Sequence, residues 1–465
     1  MNSSVLGLQH VTREIPGGGF VLVLNTGAII DPEAEAMLQA LHSRSVGGIR
    51  AHLKTLADRG PERFMENFYV GYGHKSIGDC GTGTIFIEGV SMLVAKAIQD
   101  WLLYSGQEAS TRYIDFSTQR FVDPLGLPGS TEILEAWRSF YLSSQDPLRV
   151  HLRDCFPMKE TEDPKVYEKA INARGFDILR GFLPAGASTN LAWHTNLRQA
   201  ADHIMMLRQH PLREVQVVAE AMESALQETF PSSFGHKRYE ATEEYHALWM
   251  QEGYYFPGTK HHDVRLSGRV GAVHKKVVLT RDSIDRGLLS EYARFLMQRP
   301  EKTELPKQIA ECGTMQFEFL IDFGSFRDIQ RHRSVIQRMP LLSSSFGMHS
   351  WYLESLPDKL RQETENLVRR QLTAIDTLPQ DKFVRQYYLP MGMCVPCRLT
   401  GDLPALVYVV ERRAQRDVHP TLQEVALEMA DELSSQFGSM GLTLRVDHEK
   451  GRFDVKRGLQ DIVQK

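Results

Sequence analysis

The stretch DWLLYSGQEASTR, residues 100–112, stands directly after a segment with the apolar spacing of a helix. It is rich in small polar side chains and ends on Arg112, whose guanidinium can hold an oxyanion through two parallel hydrogen bonds. The same composition also suits a loop with capping serines. A second stretch, QRHR at residues 330–333, follows a similar apolar segment in the second half of the chain. The two stretches together indicate two related halves.

The pattern of the first half recurs along the second half. Cys312-Gly313-Thr314 mirrors Cys80-Gly81-Thr82, and Tyr388-Leu389-Pro390 mirrors Phe182-Leu183-Pro184. The closing helical segments, VQVVAEAMESALQETF and LQEVALEMADELSSQF, have the same length and apolar phase. We therefore predict an α+β fold of two tandem copies of one domain, each with a mixed or antiparallel sheet and long helices. The predicted divisions are residues 1–240 for the first repeat, 241–272 for a linker and 273–465 for the second repeat.

Composition places the chain among globular proteins with a sizeable core, since 42% of its 465 residues are hydrophobic and 24% are charged. A net charge of −4 gives no global basic field for a nucleic acid polymer. No apolar run approaches the roughly 18–20 residues that span a bilayer, and the N-terminus lacks the pattern of a secretion signal. We expect a cytoplasmic protein without a membrane partner.

Five cysteines do not form a disulfide framework in a chain of this length. Cys394-Val395-Pro396-Cys397 is a lone CxxC, which is compatible with a redox pair or with half of a zinc site. No second CxxC or CxxH supplies the remaining ligands, and adjacent histidines at His261-His262 are more typical of plain surface. We predict no metal site.

Several motifs resemble those of the flavin-dependent thymidylate synthases, whose signature runs approximately RHRxxSxNExSxR in one continuous segment. An upstream loop and a strand of that family precede the signature, and an arginine–leucine–proline element and a helix ending in Leu-Arg follow it. The matching pieces in the first half are Gly73-His74-Lys75-Ser76, Phe86 to Ser91, Ser105 to Tyr113, Arg180 to Pro184 and Leu207-Arg208.

The signature is divided between the two halves. Asp100-Trp101-Leu102 stands in the first half where the family has Arg-His-Arg, and Arg331-His332-Arg333 stands at the matching place in the second half. Of the polar run that should follow the triplet, the second half retains only Ser343. Gln386 replaces Arg180, while Arg413 matches Arg208. Without the resemblance, Arg331-His332-Arg333 would be a basic turn favoured by a helix C-terminus.

The resemblance implies a role for each matching residue. The flavin is expected to contact Arg331, His332, Arg333, Ser76, Asp79 and His203. The pyrimidine nucleotide is expected to contact Gln107, Glu108, Ser110, Arg112, Arg180 and Arg208. Of these, Ser110, Arg112 and Arg208 are the predicted catalytic residues. For His203, a histidine packed inside a helical layer is the alternative.

The implied activity is the reductive methylation of dUMP to dTMP in nucleotide biosynthesis. Methylenetetrahydrofolate would give the carbon, reduced FAD the hydride, and NADPH would recharge the flavin. Active sites of the family form where subunits of a homotetramer meet, which implies a homodimer of this chain arranged as a pseudo-tetramer. Two alternatives stay open, because the divided signature also suits them: a related flavoenzyme acting on a different pyrimidine nucleotide, and a non-catalytic nucleotide-binding paralogue.

Overall fold

A computed structural model gives the architecture of the chain and describes residues 3–5, 8–25, 31–44, 48–71, 75–111, 114–235, 238–256, 277–379 and 381–448. The contacts divide the chain into two compact units. The first unit comprises Met1–Ile114, Gln119–Pro124 and Gly186–Tyr254. The second unit comprises Asp115–Thr118, Leu125–Ala185 and Tyr255–Lys465.

The first unit contains an antiparallel sheet of six strands in the order β1-β2-β3-β4-β6-β5. Its central strand β4 alternates between its two faces, and the side chains of Ile85 and Ile87 are fully buried on one of them. The strands are β1 Ser3–Val5, β2 Leu8–Ile15, β3 Gly19–Asn25, β4 Thr82–Ser91, β5 Ser105–Glu108 and β6 Ser188–Asn196.

The second unit contains an antiparallel sheet of four strands in the order β7-β8-β10-β9. This order repeats the β3-β4-β6-β5 part of the first sheet, which confirms the prediction of two copies of one α+β fold. The strands are β7 Val277–Asp282, β8 Thr314–Asp322, β9 Ile336–Arg338 and β10 Cys394–Asp402.

The strand registers also fix which residues of the two copies are equivalent. Ser105 pairs with His194 at the start of β5, and Ile336 pairs with Thr400 at the start of β9. Asp100 precedes β5 by five residues (105 − 100), and Arg331 precedes β9 by the same distance (336 − 331). The two triplets that the sequence paired therefore occupy equivalent positions.

A helix follows each central strand because a capping side chain ends the strand in both copies. Ser91 and Asp322 accept hydrogen bonds from the backbone N–H groups of Val94 (3.2 Å) and Ser325 (2.8 Å). Helices of the first sequence half are α1 Pro32–Arg44, α2 Gly48–Arg59, α3 Met92–Gln99, α4 Pro128–Ser143, α5 Gln145–Cys155, α6 Pro164–Leu179, α7 Leu197–Leu207, α8 Arg213–Thr229 and α9 Glu240–Leu248.

The second sequence half has a corresponding set, and shorter helical turns complete both halves. The helices are α10 Arg286–Glu291, α11 Ala293–Gln298, α12 Phe323–Ile329, α13 Ser350–Glu354, α14 Asp358–Thr377, α15 Lys382–Arg385, α16 Leu403–Arg413 and α17 Pro420–Phe437. The turns are Glu62–Phe64, Met65–Gly71, Lys75–Ile77, Arg180–Phe182, Trp249–Gly253, Lys307–Cys312, Gln386–Tyr388 and Gly438–Met440. No helix in the described ranges has the length and apolar character that crossing a bilayer requires.

The second unit also takes the helices α4 to α6 from the first sequence half. Here the two Leu-Pro segments meet in a reciprocal pair of hydrogen bonds. The N–H of Ala185 donates to the carbonyl of Leu389, and the N–H of Met391 donates to that of Leu183, both over 2.8 Å. The compact units therefore do not coincide with the predicted repeats, and the boundary between the repeats stays a prediction. Residues 257–272 of the predicted linker lie outside the described ranges.

Candidate functional site

The triplet Arg331-His332-Arg333 lies in the second unit, in the turn between helix α12 and strand β9. It borders a cavity of about 580 Å³, here called the triplet cavity, whose opposite wall is helix α16. Ligand pockets typically enclose about 300–1,000 Å³. The charged side chains that line it are the cations Lys307, Arg331, Arg333, Arg412 and Arg413 and the carboxylates Glu304 and Asp402.

One acidic side chain beneath the triplet is surrounded by guanidinium groups. Asp328 lies 3.5 Å from Arg331, and its backbone carbonyl accepts a 2.6 Å hydrogen bond from Arg413. Burial would raise the pKa of Asp328, but the guanidinium groups of Arg331, Arg180, Arg413 and Arg327 hold it below its usual value. A single carboxylate cannot neutralise so many cations, so the wall keeps an excess of positive charge.

The histidine of the triplet is neutral. Burial first, and then the charge of Arg413, lower the pKa of His332 to about 3. The Nε–H of Arg413 donates to Nε2 of His332 over 2.7 Å, which leaves the ring proton on Nδ1. The ring also lies edge-on to Tyr408, with 5.7 Å between ring centroids. His332 is therefore a fixed neutral donor at the cavity wall.

In the first copy, two side chains of the equivalent triplet contact other residues of the first unit. The indole of Trp101 stacks on His203, with 4.5 Å between ring centroids, and its Nε1 donates to Gln199 over 2.9 Å. Asp100 lies 3.3 Å from the ammonium of the buried Lys96. Leu102 is 66% exposed. Trp101 thus packs on a histidine of its own copy, whereas His332 borders a cavity in the second copy.

His203, a predicted flavin contact, lies inside this packed region of the first unit. It is 3% exposed, and its Nε2 lies 3.0 Å from the carbonyl oxygen of Ile98. Burial lowers its pKa to about 4. These contacts are those of a packed core histidine, the alternative that the sequence left open, and no ligand contact is needed to explain them.

Arg180, a predicted nucleotide contact, is partly buried in the second unit. Its Nη2 donates to the hydroxyl of Ser325 over 3.3 Å. Burial favours the neutral guanidine, yet nearby Tyr352, Asp328 and other acidic groups hold the pKa of Arg180 above its usual value. The network continues through Tyr352, whose hydroxyl donates to Asp322 over 2.8 Å. Arg180 therefore already has acidic neighbours within the protein.

Arg208 is similarly occupied in the first unit. One nitrogen of its guanidinium contacts both carboxylate oxygens of Glu223 (2.7 and 2.8 Å), and another contacts Glu243 of helix α9 (2.6 Å). The strand and helix bounds make Ala414 its equivalent in the second copy, because α7 ends at Leu207 and α16 ends at Arg413. The predicted match of Arg413 with Arg208 is wrong by one residue, and Arg413 holds His332 instead.

The remaining nucleotide residues lie on and after strand β5. Gln107 and Ser110 are exposed, and Glu108 accepts a 2.7 Å hydrogen bond from Gln99. Arg112 lies outside the described residues, as do Gly73 and His74 of the upstream loop. The roles of the triplet in flavin binding and of these residues in nucleotide binding therefore stay predictions.

Near that upstream loop, Ser76 is exposed and Asp79 lies 2.7 Å from Arg198. Both residues are in the first unit, whereas the triplet is in the second. The roles of Ser76 and Asp79 in flavin binding also stay predictions.

Motif reasoning missed three residues that border the triplet cavity: Lys307, Tyr408 and Arg412. Tyr408 and Arg412 are spaced i, i+4 on helix α16 and therefore share one face. The only sign of these two residues in the sequence was that spacing on one predicted helix. Lys307 had none, since it lies in a short helical turn without a motif.

Cys394 and Cys397 are both buried in strand β10. Residues three apart in a strand point to opposite faces of the sheet. The strand therefore directs the two side chains of the CxxC away from each other. Among the described residues, no group of three or more His, Cys, Asp or Glu side chains could hold a metal ion.

Part of the chain matches a known protein family, and most of the chain matches three relatives. Residues 31–232 match the family model described as thymidylate synthase complementing protein. A UPF0159 protein of Chlamydia muridarum is 23% identical over 423 residues, and one of Chlamydia pneumoniae is 24% identical over 416; each match covers 80% of this chain and 77% of the relative. A UPF0159 protein of Thermoplasma acidophilum is 21% identical over 468 residues, covering 85% of this chain and 91% of the relative.

The family match begins at helix α1 and ends just after helix α8, so it contains the complete β4-β6-β5 core of the first copy. Residues 31–232 of the chain therefore match the family described as thymidylate synthase complementing protein, which agrees with the resemblance of their motifs to the flavin-dependent thymidylate synthases.

Proposed function

We propose that the chain binds FAD in the triplet cavity and catalyses the reductive methylation of dUMP to dTMP, with methylenetetrahydrofolate and NADPH as co-substrates. The observation that carries the proposal is the charge of the cavity wall, where five cationic side chains face two carboxylates. The family match independently supports a function related to thymidylate synthesis.

The donor set of the triplet cavity fits a flavin. The phosphates of a flavin nucleotide are anionic, and guanidinium groups bind phosphate through paired, charge-assisted hydrogen bonds. Arg331 is suited to this role, because its side chain is 54% exposed and its ion pair with Asp328 is long, at 3.5 Å. When bound, the flavin would supply hydride transfer.

The protein's own residues would bind and orient the cofactor. Arg413 holds the ring of His332 through Nε2, which leaves the Nδ1–H as the donor of this ring beside the cavity. Cations beside a flavin ring stabilise the negative charge that the ring gains on reduction. Arg331 and Arg333 are the residues we assign to that effect.

A specific observation favours a second candidate, a related flavoenzyme acting on a different pyrimidine nucleotide. Arg208 is bound by Glu223 and Glu243, so a nucleotide phosphate would have to displace carboxylates from it. Displacing a paired carboxylate costs a charge-assisted hydrogen bond, about 1.5–3 kcal/mol. A nucleotide that does not rely on Arg208 for its phosphate avoids that cost.

The test is flavin content and nucleotide-stimulated oxidation of NADPH. We expect purified protein to retain FAD, seen in its visible absorption, and NADPH oxidation to rise when dUMP is added. Arg331→Ala should lose the flavin, whereas Arg370→Ala, an exposed arginine of helix α14, should retain it. A colourless protein that does not bind added FAD would contradict both candidate functions. NADPH oxidation stimulated only by another pyrimidine nucleotide would support the second candidate.

The proposal includes a homodimer in which four copies of the fold form a pseudo-tetramer. Light scattering on the purified protein measures this directly. We expect twice the mass of the 465-residue chain, and a monomeric mass at micromolar concentration would contradict the assembly.

A further inference from the structure

We propose that Glu243 is an internal competitor for the nucleotide phosphate at Arg208, and that helix α9 is a strap that carries this competitor. The phosphate of the substrate displaces the carboxylate of Glu243, and the strap then leaves the surface of the first unit. The inference rests on the proposed function in one respect, the assignment of Arg208 to the nucleotide phosphate. It goes beyond that function because it gives the chain a built-in control of its affinity for nucleotides.

The carboxylates beside Arg208 do not complete the hydrogen bonds of its guanidinium, although the side chain is only 8% exposed. One terminal nitrogen, Nη1, donates to both oxygens of Glu223 (2.7 and 2.8 Å), and the other, Nη2, donates to one oxygen of Glu243 (2.6 Å). The buried Nε–H has no acceptor in the described ranges. Neither carboxylate therefore has the paired geometry, two nitrogens on two oxygens, in which a guanidinium binds an oxyanion best.

A phosphate suits this guanidinium better than the carboxylate of Glu243 does. Nε and Nη2 form one side of the planar group, and Glu243 contacts only Nη2 there. A phosphate monoester carries about −1.5 to −2 charges at pH 7 and three acceptor oxygens, so it can accept from both nitrogens. Glu223 stays on Nη1 and is shared with Arg238 (2.7 Å), whose charge offsets that of Glu223 beside the phosphate. The exchange therefore replaces one hydrogen bond to Arg208 with two.

Helix α9 is attached to the first unit largely through Glu243. The helix contains no buried residue, and its side chains Tyr245 and Leu248 are 68% and 54% exposed. Within the described ranges, Glu243 is the one side chain of the helix that hydrogen-bonds to another element. It accepts from Arg208 and, over 2.7 Å, from the side-chain amide of Gln209. A segment with few buried contacts opens at a low cost in free energy, so the helix can leave when its carboxylate is displaced.

The strap is anchored at its C-terminal end. The turn Trp249–Gly253 follows the helix directly, and Met250 within this turn is 3% exposed. The side chain of Gln251 donates to the carbonyl oxygen of Gln209 (3.1 Å). The hydroxyl of Tyr254 accepts a 3.0 Å hydrogen bond from the ammonium of the buried Lys96. Displacement of Glu243 therefore swings the helix about this turn, while the residues after the helix stay packed.

The first experiment measures nucleotide affinity in a full-length variant that lacks the competing charge. In calorimetry, Glu243→Gln should bind dUMP about tenfold more tightly than the original protein, because a neutral amide competes less well for Arg208. Its melting temperature should fall, because the ion pair is lost. A residue with a purely structural role would lower affinity and stability together. Glu244→Gln, at an exposed position on the same helix, is the matched control and should change neither.

Further titrations show whether the gain passes through the phosphate and through Arg208. Deoxyuridine, which lacks the phosphate, should bind equally to Glu243→Gln and to the original protein. Adding Arg208→Ala to Glu243→Gln should abolish the gain. dCMP is titrated in parallel, so that a preference for another pyrimidine does not hide the effect. A gain for deoxyuridine as well, or no gain for either nucleotide in Glu243→Gln, would overturn the proposal.

Hydrogen exchange follows the strap itself and keeps this inference distinct from the proposed function. Saturating nucleotide should speed the exchange of the backbone amides of residues 240–248 in the original protein; unchanged or slower exchange there would overturn the proposal. Tighter dUMP binding by Glu243→Gln in a protein that binds no flavin would reject the proposed function and support the inference. NADPH oxidation stimulated by dUMP, with the same dUMP affinity in Glu243→Gln, would support the function and overturn the inference.

Discussion

The two copies of the fold place opposite chemistry at one equivalent position. Each has a basic side chain, the buried Lys96 or the partly buried Arg327, four residues before the triplet begins. The first copy then pairs its lysine with Asp100 and fills the neighbouring space with Trp101. The second copy has Arg331 at the position of Asp100 and leaves a cavity. The two copies thus use the same backbone position differently: the first for packing, and the second for the cationic wall of a cavity.

The largest effect is expected from reversing the charge in the first copy. Asp100→Arg brings a second cation beside Lys96, which is 5% exposed, and should lower the free energy of unfolding by about 3–4 kcal/mol. The mirror change, Arg331→Asp, alters a half-exposed side chain and should cost under about 1 kcal/mol. Urea unfolding of both variants measures the difference. Equal losses in the free energy of unfolding would show that the first copy does not depend more on its charge at this position than the second copy does.

A smaller loss of stability is expected when the packed aromatic is removed. Trp101→Ala deletes the stacking on His203 and the hydrogen bond to Gln199, and should cost about 2–3 kcal/mol because the ring is only partly buried. Thermal unfolding followed by near-ultraviolet circular dichroism reports both stability and the lost aromatic contact. An unchanged melting temperature would mean that Trp101 does not hold this region.

Introducing the first copy's residue into the second should close the triplet cavity. We expect His332→Trp to weaken FAD binding about 30-fold, or about 2 kcal/mol, because the larger ring enters the cavity and removes the Nδ1–H donor. His332→Gln tests the donor without the added bulk, and Trp101→His is the control that should leave flavin affinity unchanged. Flavin titration of an apoprotein measures all three; undiminished binding in His332→Trp would contradict the comparison.

The smallest effect is a pH dependence shared by both copies. Burial lowers the pKa of His203 to about 4 and that of His332 to about 3, against 6.5 for an ordinary histidine. The unfolded chain therefore takes up protons near pH 6.5 that the folded chain does not, and the free energy of unfolding falls as the pH drops below that value. His332→Gln should reduce the loss between pH 7.5 and 5.5 by about 1 kcal/mol. The measurement is the urea midpoint of both proteins at the two pH values. An equal loss of the free energy of unfolding in His332→Gln and in the original protein would contradict the prediction.

Much of the fold and part of the site were predictable, because both rest on local pattern. The sequence repeat makes Arg331 the equivalent of Asp100, and the strand registers give the same equivalence. The partners of buried side chains were not predictable in the same way. Glu243 binds Arg208 from a separate helix, and Lys307 reaches the triplet cavity from a turn without a motif. Such partners are chosen by tertiary packing, which no spacing along the chain encodes.

The reciprocal hydrogen bonds between Leu183-Pro184-Ala185 and Leu389-Pro390-Met391 have a consequence for how the chain is made. Helices α4 to α6 belong to a unit whose other strands and helices lie beyond residue 255. During synthesis, these helices leave the ribosome before their packing partners have been made. Their apolar faces stay without those partners until the residues beyond 255 are synthesised. Contacts so distant in sequence slow folding. A gene cut between the predicted repeats would separate helices α4 to α6 from the other strands and helices of their unit.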